Sequence, residues 1–375
     1  MCPIVLLYYM INTISDVKHQ YEREDGVGQV ESAQSNMEAA VNGQLPQNQD
    51  VTGSKRKGIS GSTIKIIAVI AMVIDHFAAV VLARQMIASG YLDAMNSGIF
   101  EEVMGWLNDN MLLYYSYDLM RTVGRLGFPI FCFLMVEGFM RTKNIKSYLL
   151  RMGIFALVSE IPFDLAMTGK FFYWGYQNVF FTLFLGLFTL WAFDFFGKQP
   201  FSKFWGIVAE TTGALLPAAY ITMTLANLAG VERISSILLG CGVITIFLAI
   251  LILVCNRKYG QEKVQTVCAD ISVLLIVMYL ADLLYTDYSG MGVLTIAVMY
   301  FFRKSKVKSM VAGCIVLFFM NINEWFAFLS IIPVAMYNGK RGLKMKYFFY
   351  AFYPVHLLIL YLICYFLGWG GISVM

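Results

Sequence analysis

The sequence predicts an all-α, polytopic membrane helical bundle with about 11 transmembrane helices (10–11). Three observations predict it. Hydrophobic residues make up 59% of the chain and charged residues only 14%, with a mean hydropathy of +0.66, whereas a soluble domain carries about 25% charged residues. Apolar runs of roughly 20 residues recur, the length that crosses a hydrocarbon layer at about 1.5 Å per residue. Between the runs lie clusters of Lys and Arg, the mark of cytoplasmic loops. The formal net charge of +4 therefore bears on topology and gives no reason to expect a nucleic-acid partner.

The chain opens with Cys2 to Met10, apolar but too short to span, with neither a basic n-region nor a small-residue cleavage site to mark a signal peptide. Ser15 to Ser60 is rich in Gln, Asn, Glu, Ser and Gly and reads as disordered. Residues 1–60 are thus expected to form a cytoplasmic N-terminal segment, with 61–375 as the membrane domain. Lys55, Arg56 and Lys57 precede the first span, Ile64 to Leu82. An external loop, Ala88 to Asp118, contains an amphipathic stretch, Ile99 to Leu113, suited to the membrane interface.

The second span runs from about Arg121 to Met140. Arg141, Lys143, Lys146 and Arg151 mark its inner end and lead into a third span ending near Asp164. The fourth covers Asn178 to Phe196, the fifth Phe204 to Leu228 and the sixth Ile234 to Val254. The seventh, Val264 to Leu284, ends at an external turn, Asp287-Tyr288-Ser289-Gly290. The eighth, Met291 to Phe302, is short. Asn321, Asn323 and Glu324 divide Met310 to Tyr337 into two short spans that meet outside. Lys340, Arg341, Lys344 and Lys346 form the last inner loop before the final span, Tyr347 to Leu367. Of the 28 Lys and Arg residues, only Arg84, Arg121, Arg125, Lys170 and Arg233 then fall outside cytoplasmic segments. That places the N-terminus in the cytoplasm; the expected location, a bacterial inner (cytoplasmic) membrane, is what the family resemblance given below implies.

Candidate chemistry lies where charge meets mid-depth. Asp75 and His76 sit side by side within the first span, and such a pair either does chemistry or ties helices together. Arg84 lies eight residues further out, about 12 Å along the axis. Arg121 and Arg125 share one face of the second span. Arg84 and Arg121 either approach the mid-depth pair or reach lipid head groups, while Arg125, between Gly124 and Gly127, sits where close backbone approach leaves a charge needing a partner. Of three histidines, His19 lies in the tail. His356, in Tyr353-Pro354-Val355-His356, is near mid-depth and can act in acid-base chemistry or cap a carbonyl freed by Pro354. Glu160, beside Ile161-Pro162 and four residues before Asp164, lines an acceptor entrance, with Gln177 and Asn178 hydrogen-bonding at the start of the fourth span, or these four and Glu137, near the inner end of the second span, tie helices together. The seven cysteines form no CxxC pair, and neither a Gly-rich phosphate loop nor HExxH is present, so no metal is expected and nucleotidase and metalloprotease classes have no support.

These residues carry a resemblance. The block IAVIAMVIDHFAAVVL, the run Gly124-Arg125-Leu126-Gly127-Phe128-Pro129, DYSGMGVLTI and Tyr353-Pro354-Val355-His356-Leu357 resemble the TraX family, conjugative pilin N-acetyltransferase-like, within the wider transmembrane acyltransferases. The likeness runs from about Ile64 to Leu367 and leaves out the N-terminal extension. It implies an O- or N-acetyltransferase that moves an acetyl group from cytoplasmic acetyl-CoA to an amine or hydroxyl of an extracytoplasmic acceptor, a pilin-like peptide or an envelope glycan or small molecule. The catalytic positions it implies are Asp75, His76, Arg125 and His356. His76, its ring oriented by Asp75, either takes a proton from the acceptor or carries the acyl group covalently. Arg125 stabilises an oxyanion or positions a carboxylate, and His356 protonates the leaving thiolate or steadies the reaction. Arg141, Lys143, Lys146, Lys340 and Arg341 are the expected CoA-binding residues, and Arg121, Glu160, Asp164, Gln177 and Asn178 the expected acceptor-side residues. Membrane lipids and the acceptor are the expected partners, with a homodimer left open. The competing class is a transporter or proton-coupled permease using the same residues as a path.

Overall fold

The first membrane helix starts on a fully bonded end. Ser60 Oγ accepts from the Thr63 amide at 3.3 Å, while the Gly61 and Ser62 amides donate to the Lys340 and Arg341 carbonyls at 2.8 and 3.1 Å. These bonds satisfy donors that a helix N-terminus otherwise leaves to water. The structure is a computed structural model that describes residues 58–198, 200–231, 233–343 and 346–375. Cys2 to Met10, the expected disordered segment as far as Lys57, with His19 and Lys55 to Lys57, and the loop residue Lys344 lie outside the described residues; the end of that segment, Gly58 to Ser60, is ordered instead, with the Ile59 amide donating to the Met336 carbonyl at 3.0 Å and Ser60 capping the first helix.

The regular structure among the described residues is helical, joined by loops and turns, with two isolated bridges, Ile59 with Tyr337 and Gln177 with Thr286. Helix α1, Gly61–Ala88, widens into a π-helical turn at Ala78–Leu82. Two short helices follow, α2 at Tyr91–Asn96 and α3 at Phe100–Asp109, neither with a buried residue, in the stretch expected at the interface. Helices α4, Met111–Gly124, and α5, Gly127–Arg141, run almost continuously through Arg125 and Leu126. Then come α6 at Ile145–Thr168, α7 at Val179–Phe196, α8 at Lys203–Ala229, α9 at Ile234–Tyr259 and α10 at Gln261–Leu283. Helices α11, Ser289–Phe301, and α12, Lys306–Met320, precede a 3₁₀ segment at Ile322–Ser330 and α13 at Ile331–Ala335. Helix α14, Lys346–Phe366, ends the fold.

Seven helices among the described residues are long and apolar enough to cross a membrane: α1, the α4–α5 stretch, α7, α8, α9, α10 and α14. The multi-pass bundle is as expected, but the count of about 11 is corrected. The expected third span, α6, carries Lys146, Arg151, Glu160 and Asp164 along its 24 residues. The expected eighth, ninth and tenth are α11 with 13 residues, α12 with 15, and the segment Ile322–Ala335. At about 1.5 Å per residue these fall short of a ~30 Å hydrocarbon layer. Protein covers one side of α11 and α12, where Val293, Ile296, Met299, Met310 and Leu317 are fully buried, while Phe319, Ile322, Trp325 and Ile332 stay exposed.

Two compact units emerge. The smaller, described within Phe196–Ser272, pairs α8 with α9 across Gly230, which takes a left-handed φ of 63°. In it the Glu210 carboxylate accepts from the side-chain amides of Asn256 and Gln265 at 3.2 and 3.1 Å. The larger unit, Gly58–Phe195 with Val273–Met375, holds the main core and every residue singled out for catalysis or acceptor binding.

Candidate active site

Neighbours in a helix point about 100° apart, so Asp75 and His76 cannot face the same partner. The Asp75 carboxylate accepts from Arg121 of α4 at 2.6 Å, and His76 turns to α14, where its Nδ1 lies 2.7 Å from His356 Nε2. The expected orientation of His76 by Asp75 is therefore replaced by His356. The two imidazoles stack with centroids 5.0 Å apart, and Tyr353 meets both edge-on.

The hydrogen bonds fix the tautomers. His356 Nδ1 lies 2.9 Å from the Phe352 carbonyl, which can only accept, so this nitrogen carries the proton. In the neutral ring His356 Nε2 then accepts, His76 Nδ1 donates to it, and His76 Nε2 is left as an unprotonated lone pair. His356 thus serves backbone and site together, although the carbonyl it binds is that of Phe352 and not that of Tyr350, the one Pro354 frees.

His76 borders a cavity of about 200 Å³ inside the larger unit. Asp75, Asp287, Tyr288 and Tyr353 border it as well, Lys65 lies in its wall, and Phe131, Leu134, Met135 and Phe180 make much of the rest. Close packing of α1 on the α4–α5 stretch shapes it. A Cβ on Gly124 would sit 2.2 Å from Asp75 Oδ1, so glycine admits the approach there, while one on Gly127 would make only ordinary contact, 3.5 Å from the Ala68 carbonyl. Arg125 does not border the cavity. It donates to Glu324 at 2.6 Å, a carboxylate with no solvent exposure.

Asp287 was read as part of an external turn, yet it lies in the cavity wall. Tyr176 Oη donates to its carboxylate at 2.7 Å, its amide donates to the Gln177 carbonyl at 2.9 Å, and the Gln177 amide donates to the Tyr285 carbonyl at 2.9 Å. Tyr285, Tyr288 and Ser289 take positive φ of 51°, 63° and 47°. Left-handed backbone at three non-glycine residues is strain of the kind that gathers at functional sites. Removal from solvent pushes the Asp287 carboxyl above its ordinary range, against the Tyr176 hydrogen bond and the charges of Arg121 and Arg125. The motif DYSG was visible in sequence, but turn composition hid the carboxylate's role.

The other expected residues divide. Gln177 frames Asp287. Asn178 donates to the Ala156 carbonyl at 2.8 Å and to the Glu160 carboxylate, and Asp164 accepts the Tyr173 amide at 2.8 Å. Glu160, Asp164 and Asn178 thus tie α6 to the start of α7 and to the segment between them, away from the cavity lining. Arg84 neither reaches lipid head groups nor joins the site. Fully buried, it donates to the carbonyls of Val80, Leu165 and Ala166, the last two in the final turn of α6. Arg141 is held by Glu137 at 2.6 Å and the Gly339 carbonyl at 2.9 Å, while Lys143, Lys146, Lys340 and Arg341 are exposed.

A model of the family described as TraX protein matches residues 60–210 and 204–364. The chain is also similar to a probable fimbrial assembly protein FimC, serogroup H1, of Dichelobacter nodosus, at 27% identity over 316 residues covering 82% of this chain and 96% of the relative. No solved structure matches.

Proposed function

The chain belongs to the TraX family, and from that membership we propose a bacterial inner-membrane acetyltransferase that moves an acetyl group from cytoplasmic acetyl-CoA to an amine or hydroxyl outside. The observation that carries the reading is the bare Nε2 of His76 at the cavity wall, its tautomer held by His356. Acetyl-CoA supplies an activated thioester carbonyl. The cavity suits such a donor, because apolar walls keep water from the acyl end while polar groups gather beside His76.

In this reading His76 Nε2 takes the proton from the acceptor nitrogen or oxygen as that atom attacks the thioester carbonyl, His356 Nε2 shares the positive charge by accepting from Nδ1, and the proton returns from His76 to the thiolate as the C–S bond breaks and CoA leaves. Tyr288 and Tyr353 border the same cavity and donate toward the reacting carbonyl. The pairs Arg121–Asp75 and Arg125–Glu324 hold α4 and the Arg125 turn in place. Lys143, Lys146, Lys340 and Arg341 attract the donor through their summed field. The fimbrial assembly name of the relative favours a pilin-like peptide as acceptor over an envelope glycan.

The test is transfer of radiolabelled acetyl from acetyl-CoA in proteoliposomes supplied with an envelope extract. Label should appear in an acceptor with the wild type and fall by about 10²-fold or more in His76→Ala. Undiminished transfer by folded His76→Ala would remove His76 from its role. A wild type that neither transfers nor hydrolyses the thioester, and binds no CoA, would overturn the enzyme class.

A further inference from the structure

The His356 imidazole has a second ring beside it. Phe352 precedes it by four residues in α14, the spacing that sets side chains one above the other on a helix face. The two ring centroids lie 5.2 Å apart, with planes 11° from parallel. Coplanar rings at that distance would clash at their edges, so the phenyl lies offset-stacked on the imidazole. Residue 352 thus holds His356 twice, by its carbonyl 2.9 Å from Nδ1 and by its ring. By position Phe352 reads as a lipid-facing residue. It is half-buried and borders a groove of about 480 Å³ between α1 and α14, whose lining, Ile70, Val73, Ile74 and Phe348 among it, is apolar throughout. Leucine would serve such a place as well.

The proposed reaction puts a positive charge on the His76–His356 pair in every turnover. The nearby carboxylates already have partners: Asp75 accepts from Arg121 at 2.6 Å, and Asp287 accepts from Tyr176 at 2.7 Å. The groove side offers no polar side chain among the described residues. An aromatic face within about 6 Å attracts a cation, and does so more strongly where water is excluded. We propose that Phe352 is a positioning residue of the histidine pair: its ring fixes the plane of His356, and its π face stabilises the positive charge that the pair takes up with the acceptor's proton. The charge rests on the acetyltransferase reading; the fixed plane does not. Phe348, one turn earlier, backs the phenyl with centroids 5.6 Å apart, so the ring is itself held from behind.

The test varies the π face without varying the shape. In the full-length protein, phenylalanine carrying one, two or three ring fluorines is installed at position 352, since fluorine drains the face while ring size changes little. Acetyl transfer should slow stepwise along the series, to about tenfold below the unmodified ring in kcat with donor KM within about twofold. Phe352→Leu keeps the carbonyl and the apolar bulk and should lose about tenfold or more in kcat. Proton exchange gives a readout without turnover. The chain has three histidines, so ¹⁵N-labelled histidine gives three imidazole spectra, assigned with His19→Gln and His356→Gln. The His356 Nδ1 proton should exchange with solvent about tenfold faster in Phe352→Leu than in the wild type, the loss of one aromatic pair, and at the wild-type rate in the fluorinated forms. A flat fluorine series, even beside a slow Phe352→Leu, would reduce the ring to packing and overturn the proposal, and so would Phe352→Leu with wild-type kcat. A wild type that neither transfers nor hydrolyses acetyl-CoA overturns the acetyltransferase reading and the charge with it; the exchange rates then decide the fixed plane, which equal rates in Phe352→Leu and wild type would overturn.

Discussion

At the residue scale, the assignment turns on one proton. The Phe352 carbonyl holds a proton on His356 Nδ1, and through His356 Nε2 the same constraint reaches His76. A side chain at 356 with no acceptor leaves both His76 tautomers open, and half or more of the molecules then turn an N–H toward the acceptor. His356→Phe should lower kcat by about 10²-fold or more, as loss of a tautomer-fixing partner does elsewhere, with KM for the donor changed little; single-turnover and steady-state rates check this. His356→Gln, whose carbonyl can accept, should recover part of the loss. Asp287→Asn keeps a group able to accept from Tyr176 but removes the charge, and should act on KM for the acceptor more than on kcat, measured once an acceptor is in hand. The sequence made both membrane histidines legible, because imidazole at mid-depth is rare and costly. It could not reveal their 2.7 Å contact, since 280 residues separate them. Asp75 was legible as a candidate but assigned the wrong neighbour, because adjacency in sequence is divergence on a helix.

At the element scale, α1 and the α4–α5 stretch approach closely because glycine allows it, and this gives two predictions with a built-in comparison. In Gly124→Ala the new methyl would meet Asp75 Oδ1 at 2.2 Å and its Cβ at 2.3 Å. The helices must part and the Arg121–Asp75 pair must lengthen, so stability should fall by about 1–3 kcal/mol and transfer should weaken with it. Gly105→Ala in α3 meets nothing within 4 Å and should stabilise by up to about 1 kcal/mol through helix propensity. Thermal midpoints in detergent distinguish the two. Arg125→Met leaves Glu324 buried without its cation, an expected loss of about 3–5 kcal/mol; adding Glu324→Gln should return part of it, which a double-mutant cycle measures. Helix existence was well read from apolar runs, and the predicted starts and ends of α7, α8 and α9 lie within a few residues of the observed ones. The span count was not. A run of apolar residues bounded by basic ones looks alike whether lipid or protein covers it, so α11 and α12, though short, passed as spans because their burial is not legible in the sequence.

At the scale of the whole molecule, chemistry and bulk separate. The cavity draws on α1, the α4–α5 stretch, α6, α7, the loop carrying Asp287 and Tyr288, and α14, all within the larger unit. No described residue of Phe196–Ser272 borders it. A unit that lines no reacting centre is constrained by apolarity and packing, and many sequences satisfy those. Its polar bonding has its own logic. Glu210 accepts from Asn256, Gln261 and Gln265, and truncating it costs about 1–3 kcal/mol chiefly at Gln265, the one of the three amides that is buried. Glu210→Ala should therefore lower the thermal midpoint while kcat and donor KM of the folded fraction stay within about twofold of wild type, the additivity expected of sites that share no partner. A drop in kcat as large as that of His356→Phe, at equal folded protein, would mean that the smaller unit takes part in the reaction after all.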